Sequence, residues 1–241
     1  MPKSDAYVIG YAAVVCLASS LLLAVATVGL KKQQDKMVEL DRKFNVLKAF
    51  QAPVVDAKGV RAPAAEVEAL FAKHVRSLVL DPATGLPIEG RAASDYTDRE
   101  IEARAVLPLY EWIEGDRATK YALPTSGKGL WSTIYGYLAV DGAASKIVGL
   151  SFYRHGETPG LGGEVEKDWF VKNFEGATIF ADGAPRRVVV AKGKVGGRRS
   201  AGAEEQVDGI SGATLTGKGV MQFLNRDIER YGAYFERLRK D

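Results

Sequence analysis

Cysteine and histidine, the residues that form disulfides and bind many metals, are nearly missing from this sequence. The 241 residues include one cysteine, Cys16, and two histidines, His74 and His155. A single cysteine excludes a disulfide within the chain, a Cys-x-x-Cys pair, a haem attachment motif and an iron–sulfur ligand set. Two histidines are too few for a typical self-contained zinc site. Redox chemistry in this protein would therefore require an organic cofactor.

An excess of charge of one sign is also missing. The chain has 33 basic and 30 acidic residues, which gives a net charge of +3. Domains that bind nucleic acid usually carry a clear basic excess, so no nucleic-acid partner is expected. A hydrophobic share of 46% and a charged share of 26% are ordinary for a folded protein.

A long uncharged run lies near the amino end. Residues 7–30, YVIGYAAVVCLASSLLLAVATVGL, contain no charged side chain. At about 1.5 Å per residue, a helix of this length crosses a hydrocarbon core of about 30 Å. The alternative is a cleaved signal peptide with Lys3 at its start and a cleavage site at 24–26. The run is long for a signal core and a helical pattern follows it, so we predict a retained transmembrane helix after a tail of residues 1–6.

The rest of the chain predicts an α+β protein. Residues 31–60 are expected to form a stalk helix and a linker, and residues 61–241 a soluble domain. Helices are expected over about 63–80 and 217–231. Strand-like segments lie at 106–113, 120–123, 131–140, 147–154 and 187–192. This order predicts a mixed, mostly antiparallel sheet with flanking helices.

The stretch DGISGATLTGKGV, residues 208–220, nearly matches a nucleotide-binding phosphate loop. Gly212, Gly217 and Lys218 have the required spacing, but Gly219 stands where that loop has Ser or Thr. Only 22 residues follow Gly219, and their pattern is helical, which excludes an NTPase domain. Two alternatives remain open for this stretch. Either Thr216 caps a helix and nothing binds there, or the free N–H groups at the start of the helix bind a phosphate.

Three motifs together resemble a known family. They are GKGLWSTIYGYLAV (127–140), HGETPGLGG (155–163) and SGATLTGKGV (211–220). With the amino-terminal span, their order resembles the C subunit of the Na⁺-translocating NADH:quinone oxidoreductase, whose soluble part is an FMN-binding domain. The related Rnf-type flavin subunit shares the ETPGLG and SGAT elements, but the GLWS stretch fits the Na⁺-pumping type better. The sequence departs from the family pattern at Gly217, where a serine commonly follows SGATLT.

The resemblance implies a covalent cofactor. FMN would be joined through its phosphate to the last threonine of S-G-A-T, which is Thr214, by a flavin transferase that uses FAD and releases AMP. Thr216 is the nearest alternative site. Asp208 would orient the loop or assist attachment, unless it only forms an Asx-turn. The other expected cofactor-binding residues come from the three motifs and from the predicted strand at 187–192. They are Ser211, Gly212, Ala213, Leu215, Thr216, Thr158, Gly160, Leu161, Leu130, Trp131, Ser132 and Lys192.

Some of these residues have expected roles. Leu130 and Trp131 would pack on the isoalloxazine ring, although Trp131 in the ordinary core is the alternative. Thr158 would supply a polar contact and Leu161 an apolar one. Lys192 would stabilise reduced flavin by Coulomb attraction, unless it is only a solvated lysine at a strand end. No catalytic or metal-binding residue is expected.

The expected function is electron transfer within a membrane complex. Electrons would come from an iron–sulfur centre of neighbouring subunits and pass to a second flavin-bearing subunit. The chain alone would have no complete activity, since it lacks a dinucleotide-binding fingerprint. The alternative is a membrane-tethered assembly module without a cofactor.

Two arguments disagree on which side of the membrane the soluble domain lies. Lys31, Lys32 and Lys36 follow the span, and the positive-inside rule would place the domain in the cytoplasm. The family resemblance places it on the periplasmic side of the bacterial inner membrane. Long domains cross regardless of flanking charge, so we expect the periplasmic side.

Overall fold

The structure is a computed structural model that describes residues 4–93, 96, 100, 103, 106–197, 199–201 and 204–240. Part of the predicted tail, residues 1–3, lies outside the described residues. The chain divides into two compact units, Met1–Asp41 and Arg42–Asp241.

The first unit consists of most of helix α1, which spans Asp5–Ala49. Its most apolar 18-residue window has a mean hydropathy of 2.4, and the helix is long and apolar enough to cross a membrane. The helix continues without interruption past residue 30, so the expected transmembrane and stalk helices are one element. Its last turns belong to the second unit, where Leu47 and Ala49 are buried.

The second unit is built on a five-stranded antiparallel sheet whose strands follow chain order. Each strand lies next to its sequence neighbour, and the last three connections are short. Their bounds are β1 Val75–Leu80, β2 Leu107–Glu114, β3 Arg117–Lys128, β4 Thr133–Asp141 and β5 Ile147–Arg154. The strands predicted at 106–113, 131–140 and 147–154 are confirmed within a few residues, and the one at 120–123 is longer than predicted.

The helix predicted over 63–80 is wrong in its last third. Helix α2 spans Ala64–His74, and β1 follows it directly. In β1, Val75 pairs with Trp112 and Leu80 with Leu107. The apolar residues of this stretch fit a helical stripe, but the cross-strand contacts with β2 outweigh that local preference.

The carboxyl-terminal half adds short strands and helices. A two-stranded hairpin and a three-stranded sheet follow. The three-stranded sheet has the order β8 (Arg187–Val190), β10 (Glu204–Val207), β9 (Arg199–Ala201), with β8 parallel and β9 antiparallel to β10. The mixed, mostly antiparallel α+β architecture is thereby confirmed. The elements are α3 Asp168–Val171, β6 Phe180–Ala181, β7 Ala184–Pro185, β8 Arg187–Val190, β9 Arg199–Ala201, β10 Glu204–Val207, α4 Thr214–Arg230 and α5 Gly232–Leu238, with 3-10 helices at Gly162–Glu166 and Lys172–Phe174.

Helix α4 packs against the five-stranded sheet and fixes the main core. Phe223 of α4 is buried, and its ring meets the ring of Phe152 in β5 edge-on, with 6.1 Å between the ring centroids. A Cβ at Gly127 of β3 would overlap the Phe223 side chain, so this glycine permits the close approach. Burying one such ring stabilises the fold by about 1.5–3 kcal/mol. The packing holds the start of α4 beside the end of β3.

A side-chain amide completes the free edge of β8. Nδ2 of Asn225 in α4 donates to the carbonyl of Val188 at 2.7 Å, and its Oδ1 accepts from the N–H of Val188 at 2.9 Å. Nδ2 also donates to the carbonyl of Met221 at 2.7 Å. One amide therefore makes the two bonds that another strand would make with Val188.

Replacing Asn225 with leucine should lower the free energy of unfolding by about 2–3 kcal/mol. Val188 is fully buried, so its backbone N–H and C=O would lose their partner away from water. Urea unfolding in detergent, followed by circular dichroism, measures the loss. The matched control is Gln222→Leu at an exposed position of the same helix, which should change stability by less than about 0.5 kcal/mol. Equal losses in the two variants would contradict this account.

Candidate functional site

Three segments meet at the start of α4, and the buried carboxylate of Glu157 joins them. Its Oε1 accepts the backbone N–H groups of Trp131 at 2.9 Å and Ser132 at 3.0 Å. Its Oε2 accepts the N–H of Leu130 at 3.2 Å and the hydroxyl of Thr216 at 2.7 Å. The loop before β4, the loop after β5 and the first turn of α4 are thus held by one side chain.

The environment keeps Glu157 ionised. Burial alone would raise the pKa of this carboxyl group, but the hydrogen bonds from Thr216 and from the N–H groups of Trp131, Ser132 and Leu130 outweigh it and lower the pKa. Folding therefore gains stability from the carboxylate above its ordinary pKa of 4.5, and this gain is lost as the pH falls through the lowered value.

Glycines allow these segments to approach each other. A Cβ at Gly162 would lie 2.7 Å from both Oε2 of Glu157 and Oγ1 of Thr216. A Cβ at Gly219 would overlap the carbonyl of Lys128. Any side chain at either position would push the loops away from α4. This packing explains why a glycine follows Lys218, where a nucleotide-binding loop has a hydroxyl residue.

Helix α4 begins earlier than predicted, and Thr216 does not cap it. The helix starts at Thr214, with Ala213 as an N-cap residue that makes no side-chain capping bond. The first helical bond runs from the N–H of Gly217 to the carbonyl of Ala213 at 3.0 Å. Within the described residues, the backbone N–H groups of 214–216 have no hydrogen-bond partner. The positive end of the helix is therefore open to an anion.

The two threonines at this helix start differ sharply. Thr216 is fully buried and its hydroxyl is bound to Glu157. Thr214 is exposed, and its hydroxyl forms no hydrogen bond with the part of the chain that the structure describes. Gly212, two residues before it, has a φ of +77°, which suits a residue without a side chain. The turn thus presents the Thr214 hydroxyl to solvent.

Exposed apolar side chains surround the helix start. Leu130 and Trp131 are 40% and 69% exposed, and Leu161 and Leu215 are 44% and 59% exposed. A Cβ at Gly212 would lie 3.0 Å from Cδ2 of Leu161, which brings the loop after β5 against the turn before α4. The alternative that Trp131 belongs to the core is wrong. An open helix start beside apolar side chains fits a group with a phosphate and a flat ring that packs through its faces, as FMN has.

The polar residues expected at this site have varied surroundings. The Ser132 hydroxyl accepts from the N–H of Gly156 at 2.6 Å and donates to the carbonyl of Thr133 at 3.3 Å, so it joins two loops. Thr158 is exposed, and its carbonyl accepts from the N–H groups of Leu161 and Gly163. Ser211 and Gly160 are also exposed.

Asp208 fixes the connection between β8 and β9. Its Oδ1 accepts the N–H of Val195 at 2.6 Å and that of Gly197 at 3.1 Å. The bond from Val195 is the main cause of a lowered pKa for this carboxyl group, and the N–H groups of Gly197 and Gly196 add to it against the effect of burial. Asp208 therefore binds the backbone of a different segment, whereas an Asx-turn would involve only its immediate neighbours in the chain.

Lys192 lies in this same connection and is exposed. The N–H of Gly209 donates to the carbonyl of Gly193 at 2.8 Å, which places the connection beside the turn before α4. No hydrogen bond or ion pair joins the Lys192 side chain to the described residues. The structure brings its backbone to the edge of the site and leaves its ammonium group in solvent.

Two other features lie outside this arrangement. The described residues include no group of three or more His, Cys, Asp or Glu side chains that could hold a metal. A cleft of 700 Å³ lies along the second half of α4 and is lined by residues such as Phe180, Phe235 and Arg239, none of them predicted for the site. The candidate site is an open surface, not this cleft.

The sequence analysis did not include Glu157 among the expected site residues and missed its bond to Thr216. The available signal was a single carboxylate within HGETPGLGG, a run whose other residues are small or apolar apart from His155. A buried carboxylate needs several donors, and flexible glycine-rich loops with free N–H groups supply them.

Several known proteins resemble this chain over the region that holds the candidate site. The FMN-binding domain family matches residues 129–229. The C subunit of the Na(+)-translocating NADH-quinone reductase of Pseudomonas aeruginosa is 34% identical over 253 residues, covering 95% of this chain and 94% of that protein. The same subunit of Vibrio vulnificus is 32% identical, covering 85% and 83%. The crystal structure of that subunit from Parabacteroides distasonis superposes with a TM-score of 0.73 at 28% identity, covering 86% and 96%.

Proposed function

Because the chain belongs to the family of the C subunits of Na⁺-translocating NADH-quinone reductases, we propose that it carries one FMN joined through its phosphate to Thr214. The protein is then an electron-transfer flavoprotein subunit of such a complex. The observation that carries the attachment site is the contrast between the exposed Thr214 hydroxyl and the buried, hydrogen-bonded hydroxyl of Thr216.

The residues at the start of α4 would hold the phosphate. A phosphodiester on Thr214 keeps one negative charge, and the unpaired N–H groups of the first turn together with the helix dipole stabilise it. Gly212 lets the turn adopt its left-handed conformation beside the attachment point. These groups favour an anion before any cofactor is attached.

The loops would hold the ring. Leu130 and Trp131 sit on a loop that Glu157 fixes, and Leu161 and Leu215 flank the helix start, so apolar contacts are available on both sides. Lys192, on the neighbouring connection, would add positive charge near the ring. FMN, when bound, supplies one-electron transfer. The protein contributes position and electrostatic environment, and it needs no acid–base pair.

The partners and membrane side are proposed on the same family basis. The donor would be an iron–sulfur centre of neighbouring membrane subunits and the acceptor a second flavin-bearing subunit. The soluble unit would lie on the periplasmic side of the inner membrane, with α1 as a single-pass anchor. Protease digestion of spheroplasts should cleave this unit, whereas digestion of inverted vesicles should not.

Mass spectrometry of the protein made in its native host tests the proposal. The intact chain should exceed its sequence mass by one FMN less one water, with the addition on the peptide that holds Thr214. Flavin fluorescence should survive denaturation in SDS. An unmodified chain from cells with active maturation would contradict covalent attachment, and an addition on Thr216 would contradict the residue assignment.

A further inference from the structure

His155 lies at the base of the loop 155–163, mostly shielded from solvent, and the three motifs do not explain its contacts. Its side chain is 12% exposed. Its Nδ1 lies 3.2 Å from the backbone nitrogen of Glu157, in hydrogen-bond geometry. Its Nε2 lies 3.4 Å from Oε2 of Glu166 without hydrogen-bond geometry, and it has no other partner among the described residues.

These contacts fix the protonation form of the ring. The Glu157 backbone N–H can only donate, so Nδ1 of His155 must accept and carries no proton. The neutral ring then holds its single proton on Nε2, facing Glu166. A doubly protonated ring would place an N–H at Nδ1 against the N–H of Glu157, and this bond would break.

We propose that neutral His155 is a positioning residue for the cofactor site, and that its protonation releases the Glu157 backbone and shifts the loops around the start of α4. The site's role in holding FMN rests on the proposed function, but the coupling between His155 and the loops does not require the cofactor. Glu157 links His155 to the loop before β4. Its backbone N–H donates to His155, and its carboxylate accepts from the N–H groups of residues 130–132.

The charged groups around the His155 ring favour different contacts for its neutral and its protonated form. Glu166 faces Nε2, and its other oxygen pairs with Lys167 at 3.4 Å. Arg154, at the end of β5, stacks on the Tyr135 ring at 3.8 Å, and the Glu157 carboxylate points toward the other loops. A protonated His155 would gain attraction to Glu166 and lose the Glu157 bond. The loop thus has one hydrogen-bond pattern with neutral His155 and another with its cation.

The protonation of His155 can be measured by NMR without overlap from many rings, because the only histidines of the sequence are His74 and His155. Nδ1 of His74 lies 3.2 Å from the carbonyl oxygen of Ile113, so His74 must donate from Nδ1 and holds the opposite neutral tautomer. Nitrogen NMR of the full chain in detergent, with ¹⁵N-labelled histidine, should show one ring protonated at Nε2 and the other at Nδ1 at high pH. Substituting each histidine in turn assigns the signals.

The pH titration tests the coupling. The pH is lowered from 8 to 5, the range in which histidines commonly titrate, and the ¹⁵N ring signals report the midpoint of His155 protonation. The backbone amide signal of ¹⁵N-labelled Trp131 should move with the same midpoint. In His155→Asn, whose amide oxygen can accept from Glu157 and cannot titrate, the Trp131 signal should stay near its high-pH position. In His74→Asn, the wild-type transition should remain.

Four results would overturn the proposal. They are a neutral His155 protonated at Nδ1, a His155 that stays neutral to pH 5, a protonation that leaves Trp131 unmoved, and a Trp131 transition that survives in His155→Asn. Repeating the titration in a Thr214→Ala background separates the two proposals. The His155 coupling should persist there without flavin, whereas failure of covalent attachment would appear only in the mass of the wild type.

Discussion

Replacing Thr214 with alanine is expected to abolish flavin attachment completely. The substitution removes the one exposed hydroxyl at the first residue of α4, and the hydroxyl of Thr216 stays buried and bound to Glu157. The variant should have the unmodified mass, no visible absorbance and no fluorescence in SDS. Assembled into the complex, it should interrupt electron transfer between NADH and quinone.

This loss should occur without unfolding. Alanine is a good helix former, and Thr214 makes no side-chain hydrogen bond to the described residues, so we expect the free energy of unfolding to change by less than about 0.5 kcal/mol. Thr84→Ala is the matched control, because it removes another exposed threonine hydroxyl that lies outside the three motifs. That variant should keep its covalent flavin. Full modification of Thr214→Ala, mapped to another residue, would refute the assignment.

Replacing Glu157 with glutamine is expected to destabilise the protein by about 3 kcal/mol. The carboxylate oxygens accept from four donors, two at each oxygen. A glutamine amide keeps one acceptor oxygen and puts an NH₂ group against donors at the other position. At least one backbone N–H would be left buried without a partner, which costs about 1–3 kcal/mol, and the charge assistance of the remaining bonds is lost.

Two measurements test this expectation. Urea unfolding at pH 7 should show the loss, and the control Glu164→Gln should lose less than about 1 kcal/mol, because the Glu164 carboxylate accepts the Trp169 indole N–H at the surface. The wild type should also lose stability as the pH falls below 4.5, because the pKa of Glu157 is lowered by folding. The glutamine variant should lose less over that range. Equal stability of Glu157→Gln and wild type would show that these bonds are dispensable.

The sequence predicted which segments come together better than it predicted the local structure around them. Glycine-rich motifs with small side chains indicated close backbone approach, and the three motifs do meet at α4. The capping alternative for Thr216 was wrong, because the hydroxyl of this residue binds Glu157, which is 59 residues away in the chain. Local capping rules contain no such contact. Strand β1 was missed for a similar reason, since its pairing with β2 is a tertiary contact.

The amide of Asn225 has a consequence for assembly. A bare strand edge is a template on which another polypeptide can extend a sheet, either as a functional partner or in aggregation. At β8 the groups that such a chain would use at Val188 are already occupied by a side chain from the domain's own helix. Neighbouring subunits must therefore engage this protein through side-chain surfaces here, and two copies cannot merge their sheets at this position.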